Sequence, residues 1–136
     1  MRRTVSLALI AGSLVLAACG GDDSSSSEES ERESAGPATA VKEVGETRDA
    51  LKTALATYKD GDAATAQEQV AEAYVSHFEE VEGPLEGKNE ELNEDLEHAI
   101  SGDLRDSMKA GKPVAAVERQ VNEILADLDK AESALR

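Results

Sequence analysis

The chain has 136 residues, 40% of them hydrophobic and 32% charged, and its formal net charge is −15. This length leaves room for one domain. Binding to nucleic acid needs clustered Lys and Arg, so the acidic balance excludes a nucleic-acid partner. The chain has no Trp, two Tyr and one Phe. This composition favours an all-α bundle over a β-sandwich or barrel. An acidic surface attracts cations, and it also simply aids solubility.

The first 18 residues have the pattern of a secretory signal peptide. Arg2 and Arg3 precede an apolar run at residues 5–16, and Ala17 and Ala18 follow it. The run has about 12 residues, or about 18 Å of helix, which is too short to cross a hydrocarbon core of about 30 Å. We therefore expect a protein located outside the cytoplasm.

Cys19 follows the signal directly. The sequence Leu16-Ala17-Ala18-Cys19, with Gly20 after it, resembles a bacterial lipobox. That resemblance implies cleavage before Cys19 and attachment of lipid to its sulfur. The alternative is an ordinary signal with an incidental cysteine, but Cys19 has no second cysteine to pair with in an oxidising compartment. We expect a lipid anchor that holds the protein on the membrane.

Residues 20–40 are rich in Ser, Glu and Gly and cannot bury a core, so we expect a disordered tether. A coil of this length reaches about 25 Å on average, enough to hold a domain clear of the lipid headgroups. The predicted organisation is a signal peptide at 1–18, the lipidated Cys19 with its tether at 19–40, and a helical domain at 41–136.

Beyond the tether, apolar residues recur at three-four spacing, which predicts four helices. Gly61 can end the first helix, and Asp62 can cap the second. The second helix should run over about residues 63–82 and be broken by Gly83-Pro84. The predicted inner faces carry Val41, Val44, Leu51, Leu55 and Tyr58; Val70, Tyr74, Phe78 and Val81; Leu92, Leu96, Ile100, Leu104 and Met108; and Val114, Val117, Val121, Ile124, Leu128, Ala131 and Leu135.

Asn89 is a suitable cap for the third helix, in which Gly102 marks a possible bend or break. Gly111 ends it, and Pro113 suits the start of the fourth. Because the connections are short, we expect an up-down-up-down antiparallel four-helix bundle. A long helical hairpin completed by dimerisation is the structural alternative. Arg48 lies on the first apolar stripe, so it should meet a glutamate of a neighbouring helix, since an unpaired buried charge costs several kcal/mol.

The sequence contains no Gly-rich phosphate loop, no nucleophile motif and no Cys/His zinc spacing, so we do not expect an enzyme. A metal-binding site with oxygen ligands remains as a candidate. His77 and Glu80 share a helix face at i, i+3, and Glu79 and Glu82 lie beside them. Such side chains are suitable ligands for iron, manganese or calcium. The alternative is a solvated acidic helix end. His98 should be offset from His77 by about 12 Å, which argues against one site that uses both.

Residues 58–64, leading into residues 70–74, resemble the opening of the extracytoplasmic helical domain attached to FTR-type iron permeases. Residues 77–85, read as H-F-E-E-V-E-G-P-L, are similar to that domain's F-E-x-x-E-G-x-L pattern. The tail at residues 111–132 is similar too. Together the likeness covers most of residues 45–135.

This likeness implies a helical domain working in iron uptake, with an iron permease or another extracytoplasmic iron-uptake protein as a partner. Glu79 and Glu82 match the acids of the motif, and His77 and Glu80 are possible additional iron ligands. The transmembrane helices and R-E-x-x-E motif of the permease are missing, so this chain alone would not transport iron. A weaker likeness is to imelysin-type lipoproteins with G-x-H-x-x-E, although Val75 replaces the glycine. The rival hypothesis is an interaction lipoprotein with no metal site.

Overall fold

The computed structural model describes residues 36–136, which contain no β-strand. The predicted signal peptide, Cys19 and the tether up to residue 35 lie outside the described residues. Four helices follow in chain order, two of them interrupted by a π-helical turn. Helix α1 is Pro37–Lys59, and α4 is Val114–Leu135. Helix α2 covers residues 63–86 and consists of Ala63–Ala73, the π-helical Tyr74–Phe78 and Glu79–Glu86. Helix α3 covers residues 90–109 and consists of Glu90–Glu97, the π-helical His98–Asp103 and Leu104–Lys109.

The four helices pack as a ring around one core. Helix α1 contacts α2 and α4, and α3 closes the ring by contacting α2 and α4. Short connections make sequence neighbours antiparallel. The predicted all-α four-helix bundle is confirmed, and one chain closes the core without a second copy. Among residues 36–136, no helix combines the length and the apolar character needed to cross a membrane.

The helix ends follow the predicted signals. Gly61 and Gly111 adopt φ of 95° and 64°, a left-handed conformation that only glycine adopts without strain. The Asp62 carboxylate accepts a hydrogen bond from a backbone N–H three residues on, at 3.0 Å. The Asn89 side chain does the same at 3.2 Å. Each cap supplies an acceptor to an N–H group that has no partner inside its helix.

The prediction that the tether extends to residue 40 is wrong by four residues. Helix α1 begins at Pro37, whose fixed φ suits the first helical position. Ala40, one turn later, is completely buried. This burial stabilises the first turn, so the bundle begins at residue 37 rather than 41.

The predicted break at Gly83-Pro84 is also wrong, because α2 continues to Glu86. A proline inside a helix costs about 3 kcal/mol. Val81 and Leu85 on either side of it are completely buried, and burying such side chains contributes about 1.5–3 kcal/mol each. Packing therefore offsets the cost of Pro84, and the helix ends at the turn that follows.

The spacing of buried residues differs between the helices. In α1 and α4 it follows steps of three and four, although Val114 at the start of α4 is 40% exposed rather than buried as predicted. In α2 there is one step of five, from Ala73 to Phe78, and this step is the π-helical turn. The buried residues of α2 are Ala66, Val70, Ala73, Phe78, Val81 and Leu85.

Helix α3 shows a related irregularity. Its buried apolar residues Leu92, Leu96, Ile100, Leu104 and Met108 are spaced four apart. With 3.6 residues per turn, each such step would rotate the stripe by about 40° and carry it off the core. The wider π-helical turn His98–Asp103 corrects this drift. Gly102 lies within that turn, so it marks the irregularity without breaking the helix.

The prediction for Arg48 is confirmed. Its Nη2 lies 3.0 Å from Glu132 Oε2 and 2.6 Å from Asp129 Oδ1, both on α4. The Arg48 side chain is only 20% exposed, so the two carboxylates compensate a largely buried charge. These two contacts of Arg48 therefore link α1 to α4 beside the core.

Phe78→Ala should lower the free energy of unfolding by about 3–5 kcal/mol, because it leaves a cavity where a fully buried ring packed. Val75→Ala is the matched control on the same π-helical turn, since Val75 is 59% exposed. We expect a change within about 0.5 kcal/mol there. Urea denaturation followed by circular dichroism measures both. Equal losses of unfolding free energy in the two variants would contradict this register of α2.

Candidate functional site

The four predicted metal ligands lie at the end of the π-helical turn of α2, and they do not converge. The five-residue step directs Phe78 into the core, so His77 and Glu82 lie on different sides of the stripe. His77 contacts α1, Glu82 lies towards α3, and Glu80 is exposed to solvent. The set His77, Glu79, Glu80 and Glu82 therefore does not fit around one ion.

His77 pairs with Glu43 of α1, a partner that the sequence did not suggest. Its Nδ1 lies 2.8 Å from Glu43 Oε2, and the Glu43 side chain is only 13% exposed. The other oxygen of Glu43 accepts from Lys42 Nζ at 2.9 Å. The hydrogen bond from Lys42, and then the one from His77, lower the pKa of Glu43. Glu43 is therefore a carboxylate that holds the imidazole against α1.

Glu82 and Tyr74 lie on the opposite side of α2, towards α3. The Tyr74 hydroxyl donates to Glu82 Oε1 at 2.5 Å. Burial raises the pKa of Glu82, and the charges of Glu97, Glu79 and Glu86 raise it further, while the hydrogen bond from Tyr74 opposes them. Burial, and then the Glu82 carboxylate, also raise the pKa of Tyr74. The phenol is therefore neutral at ordinary pH.

We call Glu79, Glu82, Glu86 and Glu97 the acidic cluster. Glu97 belongs to α3 and the others to α2, so the cluster spans the two helices. The charges of Glu79 and Glu82 both raise the pKa of Tyr74, and the charge of Glu79 also raises the pKa of Glu82, so the two glutamates lie on one side of α2. Two of the four predicted residues therefore belong together, and whether they bind a metal stays a prediction.

Sequence reasoning missed Glu97, Glu43 and the polar role of Tyr74. Tyr74 was predicted as core, but it is only partly buried, with its ring 5.9 Å from that of Phe78. Glu97 could have been found, because it lies about as far beyond the turn at residues 87–89 as Glu79 lies before it. No sequence pattern indicated Glu43 in this way, because its contact with His77 depends on the π-helical turn.

Within residues 36–136, no group of three or more His, Cys, Asp or Glu side chains is arranged to hold a metal ion. An ion at the acidic cluster would therefore need carboxylates to change rotamer or waters to complete its coordination. Carboxylate side chains on a helix surface have that freedom. Comparison of the chain with protein families, with curated proteins and with solved structures gives no match.

Glu82→Gln should raise the free energy of unfolding at pH 7. Because folding raises the pKa of Glu82, ionising this group costs stability as pH rises above its ordinary pKa of 4.5. Glutamine removes that cost and still offers Tyr74 an acceptor. The difference from the wild type should vanish below about pH 4, where both side chains are neutral. Urea denaturation at both pH values measures it.

Glu80→Gln is the matched control, at an exposed position of the same helix. Its free energy of unfolding should stay within about 0.5 kcal/mol of the wild type at both pH values. A Glu82→Gln variant that is less stable than the wild type at pH 7 would contradict the repulsion described for the cluster.

Proposed function

We propose that this chain is a lipid-anchored extracytoplasmic protein of iron uptake that is not an enzyme, and that it binds iron as cargo at the acidic cluster. The observation that carries the proposal is the grouping of Glu79, Glu86 and Glu97 around the partly buried carboxylate of Glu82. The anchor and the iron-uptake setting are supported by Cys19 after the signal sequence and by the likeness to the permease-attached domain.

Electrostatics favours a cation at the acidic cluster. The charges of Glu97, Glu79 and Glu86 raise the pKa of Glu82 because they repel its carboxylate, and a bound cation would relieve that repulsion. Hard cations prefer oxygen ligands, which is what the cluster offers. Tyr74 fixes one oxygen of Glu82 by donating to it, and the other oxygen remains available to a ligand. The formal charge of −15 adds a long-range attraction for cations.

In this proposal the lipid anchor determines where the protein is located. Two or more acyl chains on Cys19 would hold the protein at the membrane, and the tether would let the bundle move about 25 Å from it. A permease or another iron-uptake protein in the same membrane would then receive the ion. The chain itself would only capture and present it.

The second candidate function is an interaction lipoprotein without a metal site. The hydrogen bond from Tyr74 to Glu82 favours it, because that bond gives a motif glutamate a structural role. Under this hypothesis the cluster would bind a basic surface of a partner protein by charge complementarity.

The double variant Glu82→Gln/Glu97→Gln should bind iron at least about tenfold more weakly than the wild type, because it removes one charged ligand from each helix. The measurement is a titration of the purified full chain with ferric citrate. Glu80→Gln/Glu90→Gln is the matched control, since it removes the same charge at exposed positions. Equal binding by both double variants would contradict the acidic cluster as the site.

Cys19→Ser should abolish labelling of the chain by a radioactive fatty acid in cells and release the protein from the membrane fraction, because serine offers no sulfur for lipid attachment. Ser25→Ala, within the predicted tether, is the control and should leave both unchanged. Retention of the Cys19→Ser variant in the membrane fraction, without label, would contradict the lipid anchor but not the iron site.

A further inference from the structure

A solvent-open cavity of about 200 Å³ lies between α1 and α2, on the side of α2 away from the acidic cluster. Its lining residues are Ala50 and Thr53 of α1 and Gln69, Glu72, Ala73 and His77 of α2. A water molecule in liquid water occupies about 30 Å³. The cavity therefore has room for a small ion together with several waters.

The pair of Glu43 and His77 orients the imidazole at one end of this cavity. A carboxylate only accepts hydrogen bonds, so Nδ1 of His77 must carry the proton that it shares with Glu43 Oε2, at 2.8 Å. In the neutral ring the lone pair is then on Nε2. A histidine that donates through one nitrogen to a carboxylate and presents the other is the usual arrangement of a metal-binding imidazole.

Glu72 supplies a carboxylate to the same cavity. Its Oε1 accepts from Ser76 Oγ at 2.8 Å, and its Oε2 is the oxygen that can bind an ion. In a continuous α-helix, residues five apart such as Glu72 and His77 would differ by about 140° around the axis. The wider π-helical turn Tyr74–Phe78 reduces that angle, which explains why both line one cavity.

Gln69 provides a third observation. Its Oε1 is buried and has no hydrogen-bond partner in the described part of the chain. A buried acceptor without a partner costs about 1–3 kcal/mol, and such groups in native proteins commonly indicate a bound water or ion. Rotation of the Gln69 side chain towards the cavity would expose this oxygen to a water coordinated to the ion, which would then donate to it.

We propose that the cavity between α1 and α2 binds a divalent first-row transition-metal ion through His77 Nε2 and the Glu72 carboxylate. Water completes the coordination, and Gln69 Oε1 accepts from one of these waters. Glu43 is a positioning residue, since it acts through His77. One imidazole and one carboxylate suit manganese, ferrous iron, cobalt or zinc better than calcium or magnesium. The site is separate from the acidic cluster and does not depend on it.

Cobalt(II) is the probe, because its visible absorption changes on binding to a nitrogen ligand. The purified full chain carries Cys19→Ser, which removes a competing thiol ligand. His77→Gln keeps a donor for Glu43 but removes the imidazole, and Glu72→Gln removes the carboxylate. Each should weaken cobalt binding at least about tenfold. The matched controls, at exposed positions, are His98→Gln and Glu68→Gln, which should bind as the parent does.

Glu43→Gln tests the positioning role by a second readout. Its amide donates to Nδ1 and moves the ring proton to Nε2, which nitrogen NMR of the imidazole detects. We expect this tautomer change together with cobalt binding about tenfold weaker. Equal weakening by His77→Gln and His98→Gln, or no effect of His77→Gln, would overturn the proposal. Glu82→Gln/Glu97→Gln should leave cobalt binding unchanged, so failure here and failure of the iron site are distinguishable.

Discussion

The burial of Phe78 by a five-residue step in α2 is the constraint on which both sides of that helix depend. Without the step, the stripe that descends from Val70 and Ala73 would bring His77 to the core. With it, Phe78 is completely buried, and Val81 and Leu85 continue the stripe. The π-helical geometry is less favourable than an α-helical turn, and burial of the only phenylalanine in the chain compensates for it.

The second π-helical turn lies at a similar level of the bundle. Tyr74–Phe78 and His98–Asp103 each lie roughly nine to fourteen residues from the turn that joins α2 to α3. Both arise from apolar residues that are spaced too widely for a regular α-helix. Glu79 directly follows the first of these turns and Glu97 directly precedes the second, so two acids of the cluster adjoin the segments of irregular helix, a common location of functional groups in helical proteins.

The two sides of α2 differ in chemistry. Towards α3, like charges crowd around Glu82 and raise its pKa, so that side favours a cation by relief of repulsion. Towards α1, the Glu43 carboxylate accepts a hydrogen bond from His77 Nδ1, which orients the imidazole. The first arrangement offers only oxygen ligands, whereas the second combines nitrogen and oxygen. The two proposed sites would therefore use different ligands of the same helix.

The fold was largely predictable from the sequence, because three-four spacing and turn residues such as Gly61 and Asn89 report directly on helix faces and ends. The grouping of the acidic residues was not predictable, because a helix of constant pitch places His77 beside the glutamates. The spacing of four throughout α3 was a readable sign of a π-helical turn. The partner of His77 was not readable, since Glu43 meets it only through tertiary packing of α1 on α2.

Anomalous diffraction at the iron edge, from crystals of the chain soaked with ferric citrate, tests the central claim most directly. The account predicts an iron peak between α2 and α3, within bonding distance of the carboxylates of Glu82 and Glu97. Crystals that contain iron by fluorescence but show no peak there would contradict the proposal that the acidic cluster binds iron.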